Sequence, residues 1–175
     1  PYFDAGIRLE HVNFYNISYS NVTDNHLGIN AISSDNGTIH ANAISFNKDR
    51  GIKLLNSNNN SILNNIIMQN DPDAISIINS IGNLIDNNSI FSNYLDLTSS
   101  SFNVITNNSC ENSKHFIKSY SSNDNTINDN QVHNTTSYVF QVDLSDRNRI
   151  SGNSVSLGFD SGVSLSNSDN NNIIN

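Results

Sequence analysis

Tryptophan is absent from this 175-residue chain, and cysteine and methionine occur once each. The single thiol, Cys110, cannot close an internal disulfide. Basic residues are scarce: eight Lys and Arg stand against sixteen Asp and Glu, for a formal net charge of −8 and a pI near 4.7. Such a surface repels a phosphate backbone, because nucleic-acid binding is driven by clustered Lys and Arg. Nucleic acid is therefore excluded as an expected partner. No apolar run approaches the ~18 residues of a membrane-spanning helix. No signal peptide is visible behind Pro1, as in mature or trimmed material.

What the chain has in abundance is asparagine, 36 residues of it. Composition alone would class an Asn- and Ser-rich chain as low-complexity. The order of the residues says otherwise. The motif Ile-x-x-Asn-x-Ile-x-x-Asn at Ile62, Asn65, Ile67 and Asn70 recurs from Ile39 and from Ile85. Looser copies begin at Ile17, Ile105, Ile127 and Ile150, and an eighth at Ile173, so the spacings are 22, 23, 23, 20, 22, 23 and 23 residues. Ten residues ahead of these anchors lies a second apolar row: Ile7, Ile29, Ile52, Ile75, Leu95, Ile117, Phe140 and Val163. The offset never varies. All the length variation falls just before the strand that this second row starts.

Apolar residues two apart mark a strand with one buried face. Three short strands in a repeat of this length are too few for a βαβ unit, and a propeller blade needs about twice as many residues. The pattern predicts an all-β solenoid, a single-stranded right-handed parallel β-helix of about eight coils of 20–23 residues, spanning residues 1–175 as one domain. Asparagine rows (Asn60, Asn83, Asn103, Asn125, Asn148, and Asn42 to Asn153) are expected to stack at the corners, because Asn tolerates left-handed backbone and its amide both donates and accepts. A serine row runs through Ser34, Ser57, Ser80, Ser100, Ser122, Ser145 and Ser168.

Segments such as Gly51–Asn70 and Ala74–Asn93 resemble the parallel β-helix repeat of the NosD-like periplasmic copper-binding family, within the broader pectin-lyase-like superfamily. The resemblance covers essentially the whole chain. It implies the fold, and a place outside the cytoplasm: extracellular, at the cell surface or periplasmic. Seven Asn-x-Ser/Thr sequons are compatible with export. The copper chemistry in the family's name lacks its residues here. Soft copper sites gather Cys, Met or His, whereas His11, His26, His40, His115 and His133 occupy five different repeat positions. No metal site or resident cofactor is predicted.

The outward row of the first strand runs Arg8, Asn30, Lys53, Ser76, Asp96, Lys118, Gln141 and Ser164. Just ahead of it lie Lys48, Asp49 and Arg50 in one coil and Asp71, Pro72 and Asp73 in the next. Stacking is expected to bring Asp49, Asp71 and Asp73 near Lys53 and Arg50. Carboxylates so placed can bind Ca²⁺ or act as acid and base, and the cations can hold a uronate. The Asp71-Pro72-Asp73 run resembles the Asp-Pro-His motif of alginate epimerases, with Asp73 in place of the histidine and no aromatic ahead of it. Tyr94 and Phe116 fall where most coils have Gly or Ala, and are expected to face outward. The ligand-binding face is thus read as Lys53, Asp73, Tyr94, Asp96, Phe116 and Lys118. Its expected partners are a glycan or another surface protein, copies of this chain included.

The function expected from these residues is a non-catalytic, structural, adhesive or carbohydrate-contacting segment of a surface protein. The alternative is a polysaccharide lyase or epimerase acting on acidic glycans through Asp49, Asp71, Asp73 and Lys53. Bare end rungs expose core and strand edges. With no capping helix legible at either end, the segment is expected to belong to a larger exported protein.

Overall fold

The computed structural model of the chain describes residues 4–158 and 160–174. Its elements are all strands, arranged in three parallel sheets in which neighbours follow chain order. Sheet A has eight strands, from Ala5–Glu10 through Leu27–Ile32, Arg50–Leu55, Asp73–Ile78, Tyr94–Thr98, Ile117–Tyr120 and Phe140–Asp143 to Val163–Ser166. Sheet B has eight strands of three residues each, Asn16–Ser18 to Asn172–Ile174, and sheet C has seven, Asn21–Thr23 to Ser154–Gly158. The chain thus makes seven full turns and begins an eighth.

The register is the one the two apolar rows require. Ile29, Ile52, Ile75, Leu95, Ile117 and Phe140 pair in succession along sheet A, and Ile39, Ile62, Ile85, Ile105, Ile127 and Ile150 along sheet B. All are buried. A third inward stack, Ile44, Ile67, Ile90, Cys110 and Val132, closes the core from sheet C. β-Branched side chains suit such pleated stacks, and each buried aliphatic stabilises by ~1.5–3 kcal/mol.

Four polar ladders fill the corners, one of them running Asn25, Asn47, Asn70 and Asn93 between sheets C and A. Asn60 N–H donates to Asn83 Oδ1 at 2.9 Å, while its Nδ2 donates to Ser34 O and to Asn83 Oδ1. The pattern repeats through Asn103, Asn125 and Asn148. A parallel ladder runs from Asn42 to Asn153, and the serines pass backbone N–H to Oγ from Ser34 to Ser168. One expectation is corrected. The buried ladder asparagines do not carry the left-handed backbone. That task falls to the residue before each, such as Asn59 (φ 53°) and Asn64 (φ 55°). Corner bending and corner hydrogen bonding are divided between neighbours.

Candidate functional site

The segment of variable length between the end of sheet C and the start of sheet A delivers the charged and aromatic side chains. Four residues fill it in the coils of Lys48–Gly51 and Asp71–Ala74, but Tyr94 stands alone between Asn93 and Leu95. That shortening shifts the register, so Tyr94 pairs with Asp73 and not with Ala74. Arg50, Asp73 and Tyr94 thereby occupy three successive rungs.

Asp73 is the centre of the cluster. It is 3% exposed. Arg50 Nε donates to its Oδ2 at 3.0 Å, and the Tyr94 hydroxyl donates to the same carboxylate. Burial, with the Asp96 charge adding to it, raises the Asp73 pKa above the ordinary carboxylate value despite those two donors. Burial also raises the Tyr94 phenol, reinforced by the Asp73 charge. Arg50 Nη1 holds Asp49 at 2.7 and 2.9 Å, so the guanidinium bridges two carboxylates. On the other side of Tyr94, Lys118 Nζ lies 5.6 Å from the ring centroid, within cation–π reach. His115 meets the same ring edge-on at 5.6 Å and stacks on Tyr138. Its Nδ1 is 3.2 Å from Tyr138 O, which sets the proton on Nδ1 and leaves Nε2 as acceptor. Burial, with Lys118 and Lys114 nearby, pushes the His115 pKa down.

Asp96, paired in register with Lys118 and hydrogen-bonded to Thr98 at 3.1 Å, continues this face into a groove of about 280 Å³. Thr98, Tyr120, Gln141 and Asp143 help line it. Lys53 stands between Asn30 and Ser76 on the same outward row. Asn30 Oδ1 and Ser76 Oγ are both buried and have no hydrogen-bond partner in the protein.

Of the residues expected at this face, Asp73, Tyr94, Asp96 and Lys118 converge, Asp49 joins through Arg50, and Lys53 lies in the Asp96–Lys118 column with Ser76 between it and Asp96. Asp71 is exposed and shares no bond with the cluster. Phe116 is a correction. It is fully buried, packed edge-on against Phe140 at 5.8 Å, because Asn93 ends its ladder and Ser113 leaves room inside. It cannot contact a ligand on the outer face. The three aspartates do not form a Ca²⁺ cage either: Arg50 lies between Asp49 and Asp73, and no group of three metal-ligating side chains occurs among the described residues. Copper fits no better: Cys110 is enclosed in the apolar core, where burial pushes its pKa up to about 12, and no histidine joins it among the described residues. His115 and Tyr138 were not singled out from sequence as site residues. Their signal was their place in the same variable segment as Asp49, Asp73 and Tyr94.

Known structures share this architecture. A point mutant of the periplasmic alginate epimerase AlgG superposes with a TM-score of 0.75 at 18% identity, covering 94% of this chain and 47% of that one. ORF18 of Geobacillus virus E2 gives 0.62 at 15%, covering 92% and 41%. The A-module of the Azotobacter vinelandii mannuronan C-5 epimerase AlgE4 gives 0.56 at 14%, covering 91% and 59%. The chain spans about half the length of these structures, and at such identity they share its fold alone. No curated protein matches the sequence. A family model described as a right handed beta helix region matches residues 5–155. The solenoid of three parallel sheets and the match over most of its coils agree: this chain belongs to the right-handed β-helix family.

Proposed function

We propose that the outer face of sheet A binds a carbohydrate, with an acidic glycan as the preferred class, and that the chain works outside the cytoplasm, in the periplasm or beyond. The observation that carries this reading is the convergence of Lys118, Asp96 and Tyr120 on a groove of about 280 Å³, with Tyr94 and Arg50 beside it. Arg and Lys suit carboxylates, Asp suits sugar hydroxyls, and half-exposed tyrosine faces suit sugar rings. Two of the structures with this fold are alginate epimerases by name, which supports a carbohydrate ligand.

A second reading, uronate epimerisation or lysis, is favoured by one arrangement. Asp73, Tyr94 and His115 place three proton-carrying groups side by side between the cations Arg50 and Lys118. Removing the proton next to a uronate carboxylate needs a base on one side and a cation at the carboxylate. The test covers both readings. Oligouronates and neutral oligosaccharides are titrated against the wild type and against Lys118→Ala. Salt-sensitive binding of oligouronates, weakened in the variant, is expected. No binding of either class overturns the proposal. Polyuronate incubated in deuterated water, followed by NMR for exchange at the ring carbon and by ultraviolet absorbance for unsaturated products, separates catalysis from binding.

A further inference from the structure

The outer face of sheet C carries a second constellation, independent of the sheet A groove. Its outward column runs Thr23, Ser45, Met68 and Phe91 through the first coils, then changes character. Glu111 pairs in register with His133, and His133 with Ser156. His133 Nδ1 lies 2.9 Å from Ser156 Oγ. An acid, an imidazole and a hydroxyl therefore stand in order on three successive rungs, with neighbouring strands ~4.8 Å apart. They line a trough of about 430 Å³ together with Ser109, Gln131 and Ser154.

We propose that Ser156, His133 and Glu111 form a nucleophilic site that hydrolyses O-acyl esters. A serine hydroxyl is a weak nucleophile until a base within hydrogen-bond reach takes its proton, and 2.9 Å is that reach. For Ser156 to donate to Nδ1, His133 must carry its proton on Nε2. The Glu111 carboxylate, in register one rung away on the opposite side from Ser156, is not hydrogen-bonded to His133 and acts through its charge, which favours the imidazolium as it forms. Gln131 lies two residues before His133 on the same face, so its side-chain amide is available to a developing oxyanion. The parallel ladders fix all four residues on strands, which position catalytic groups more rigidly than loops do.

The chemistry closes with water as the only co-reactant. Ser156 Oγ bonds to the acyl carbon as its proton passes to His133. The tetrahedral oxyanion collapses, the bond to the alcohol oxygen breaks, and that oxygen takes the proton from His133. Water then adds to the acyl carbon, giving a proton to His133, and Ser156 leaves with it. The net reaction is ester and water to carboxylic acid and alcohol. The open, hydroxyl-lined trough suits a small acyl group on a polar alcohol, such as an acetyl ester.

The test uses the whole chain. Wild type is treated with a fluorophosphonate probe and the adduct is mapped by mass spectrometry, and p-nitrophenyl acetate hydrolysis is followed in parallel. An adduct on Ser156, absent in Ser156→Ala and His133→Asn, is expected, with turnover falling about 100-fold or more in both variants. Ser166→Ala, exposed on sheet A and outside the trough, should retain labelling and turnover. All these side chains are exposed, so circular dichroism and melting should not change. The inference is overturned by the absence of an adduct on Ser156, or by equal turnover in Ser156→Ala, which would mark unassisted imidazole chemistry.

Discussion

The ring of Tyr15 occupies the space in which residue 37 would place a side chain: a Cβ on Gly37 would fall 2.1 Å from Tyr15 Cζ. Both residues sit in the column that Asn60 continues, and Gly37 N–H donates to Asn60 Oδ1 at 2.8 Å. The first two rungs of the ladder are thus replaced by an aromatic under a glycine. The Tyr15 hydroxyl is buried without a partner, and burial, with Asp35 nearby, pushes its pKa up to about 12.

Gly37→Ala should therefore destabilise by about 1–3 kcal/mol, the usual cost of overpacking. Tyr15→Phe should be neutral or stabilising, since it removes an unsatisfied buried hydroxyl. The double variant Tyr15→Asn with Gly37→Asn extends the ladder by two rungs and should recover much of the loss. Urea melts of the singles and the double form a cycle. Additive effects would show that the two positions do not share space.

In the centre of the rod, Ile75→Ala should cost about 2–5 kcal/mol, the range for deleting a buried aliphatic side chain. Asn103→Leu should cost roughly 1–3 kcal/mol. It strips Asn83 N–H and Nδ2 of an acceptor and Asn125 Oδ1 of a donor, bonds of 2.9, 3.1 and 3.1 Å. Thermal melting reads both. An unchanged midpoint for Asn103→Leu would mean that water or backbone shifts replace the ladder.

Asp73 gives a pH signature. Its folded pKa is raised, so between 3.8 and that raised value the folded state holds more proton than the unfolded state. The stability it contributes is full below the unfolded pKa and is lost as pH rises through the folded one. Asp73→Asn keeps an acceptor for Arg50 and removes the titration. Denaturation from about pH 3 to pH 7 should show wild type losing stability relative to Asp73→Asn as pH rises. His115, with its pKa lowered, works in the opposite sense, losing stability as pH falls below 6.5, so the comparison is made against the single variant.

The repeat was legible because isoleucines two apart, in two rows at a constant offset, admit one register, and Ile52 to Ile150 obey it. The division of labour at the corners was not. Asn59 and Asn60 are adjacent and identical in type, and only backbone angles tell which bends and which bonds. At the site, Asp73, Asp96 and Lys118 followed from rung spacing. Tyr94 and Phe116 looked equivalent because each immediately precedes the residue, Leu95 or Ile117, that belongs to the inward apolar row of sheet A. Yet the first sits in a one-residue connection and the second ends a three-residue one, and that slack lets Phe116 fold inward beyond the end of the Asn ladder. The Glu111, His133 and Ser156 column escaped notice because histidines were compared with histidines. Its meaning lies between unlike residues on neighbouring rungs.

Separating that aromatic pair decides what sheet A does. Phe116 is fully buried against Phe140, so Phe116→Ser should cost about 3–5 kcal/mol in lost packing, and the new hydroxyl adds a desolvation cost of about 1–3 kcal/mol. Together these approach the whole stability of a marginal domain, and the variant should unfold or melt far below wild type. Tyr94 is half-exposed, and its loss removes chiefly the hydrogen bond to Asp73, which Arg50 continues to hold. Tyr94→Ser should therefore keep the fold at a cost of about 1.5–3 kcal/mol, while losing the ring that faces Lys118 and His115. Glycan titration and melting on the two variants give distinct outcomes. A folded Tyr94→Ser that no longer binds oligouronates places the ligand over Tyr94. Undiminished binding by Tyr94→Ser would remove Tyr94 from the contact and move the glycan toward Tyr120 and Asp143.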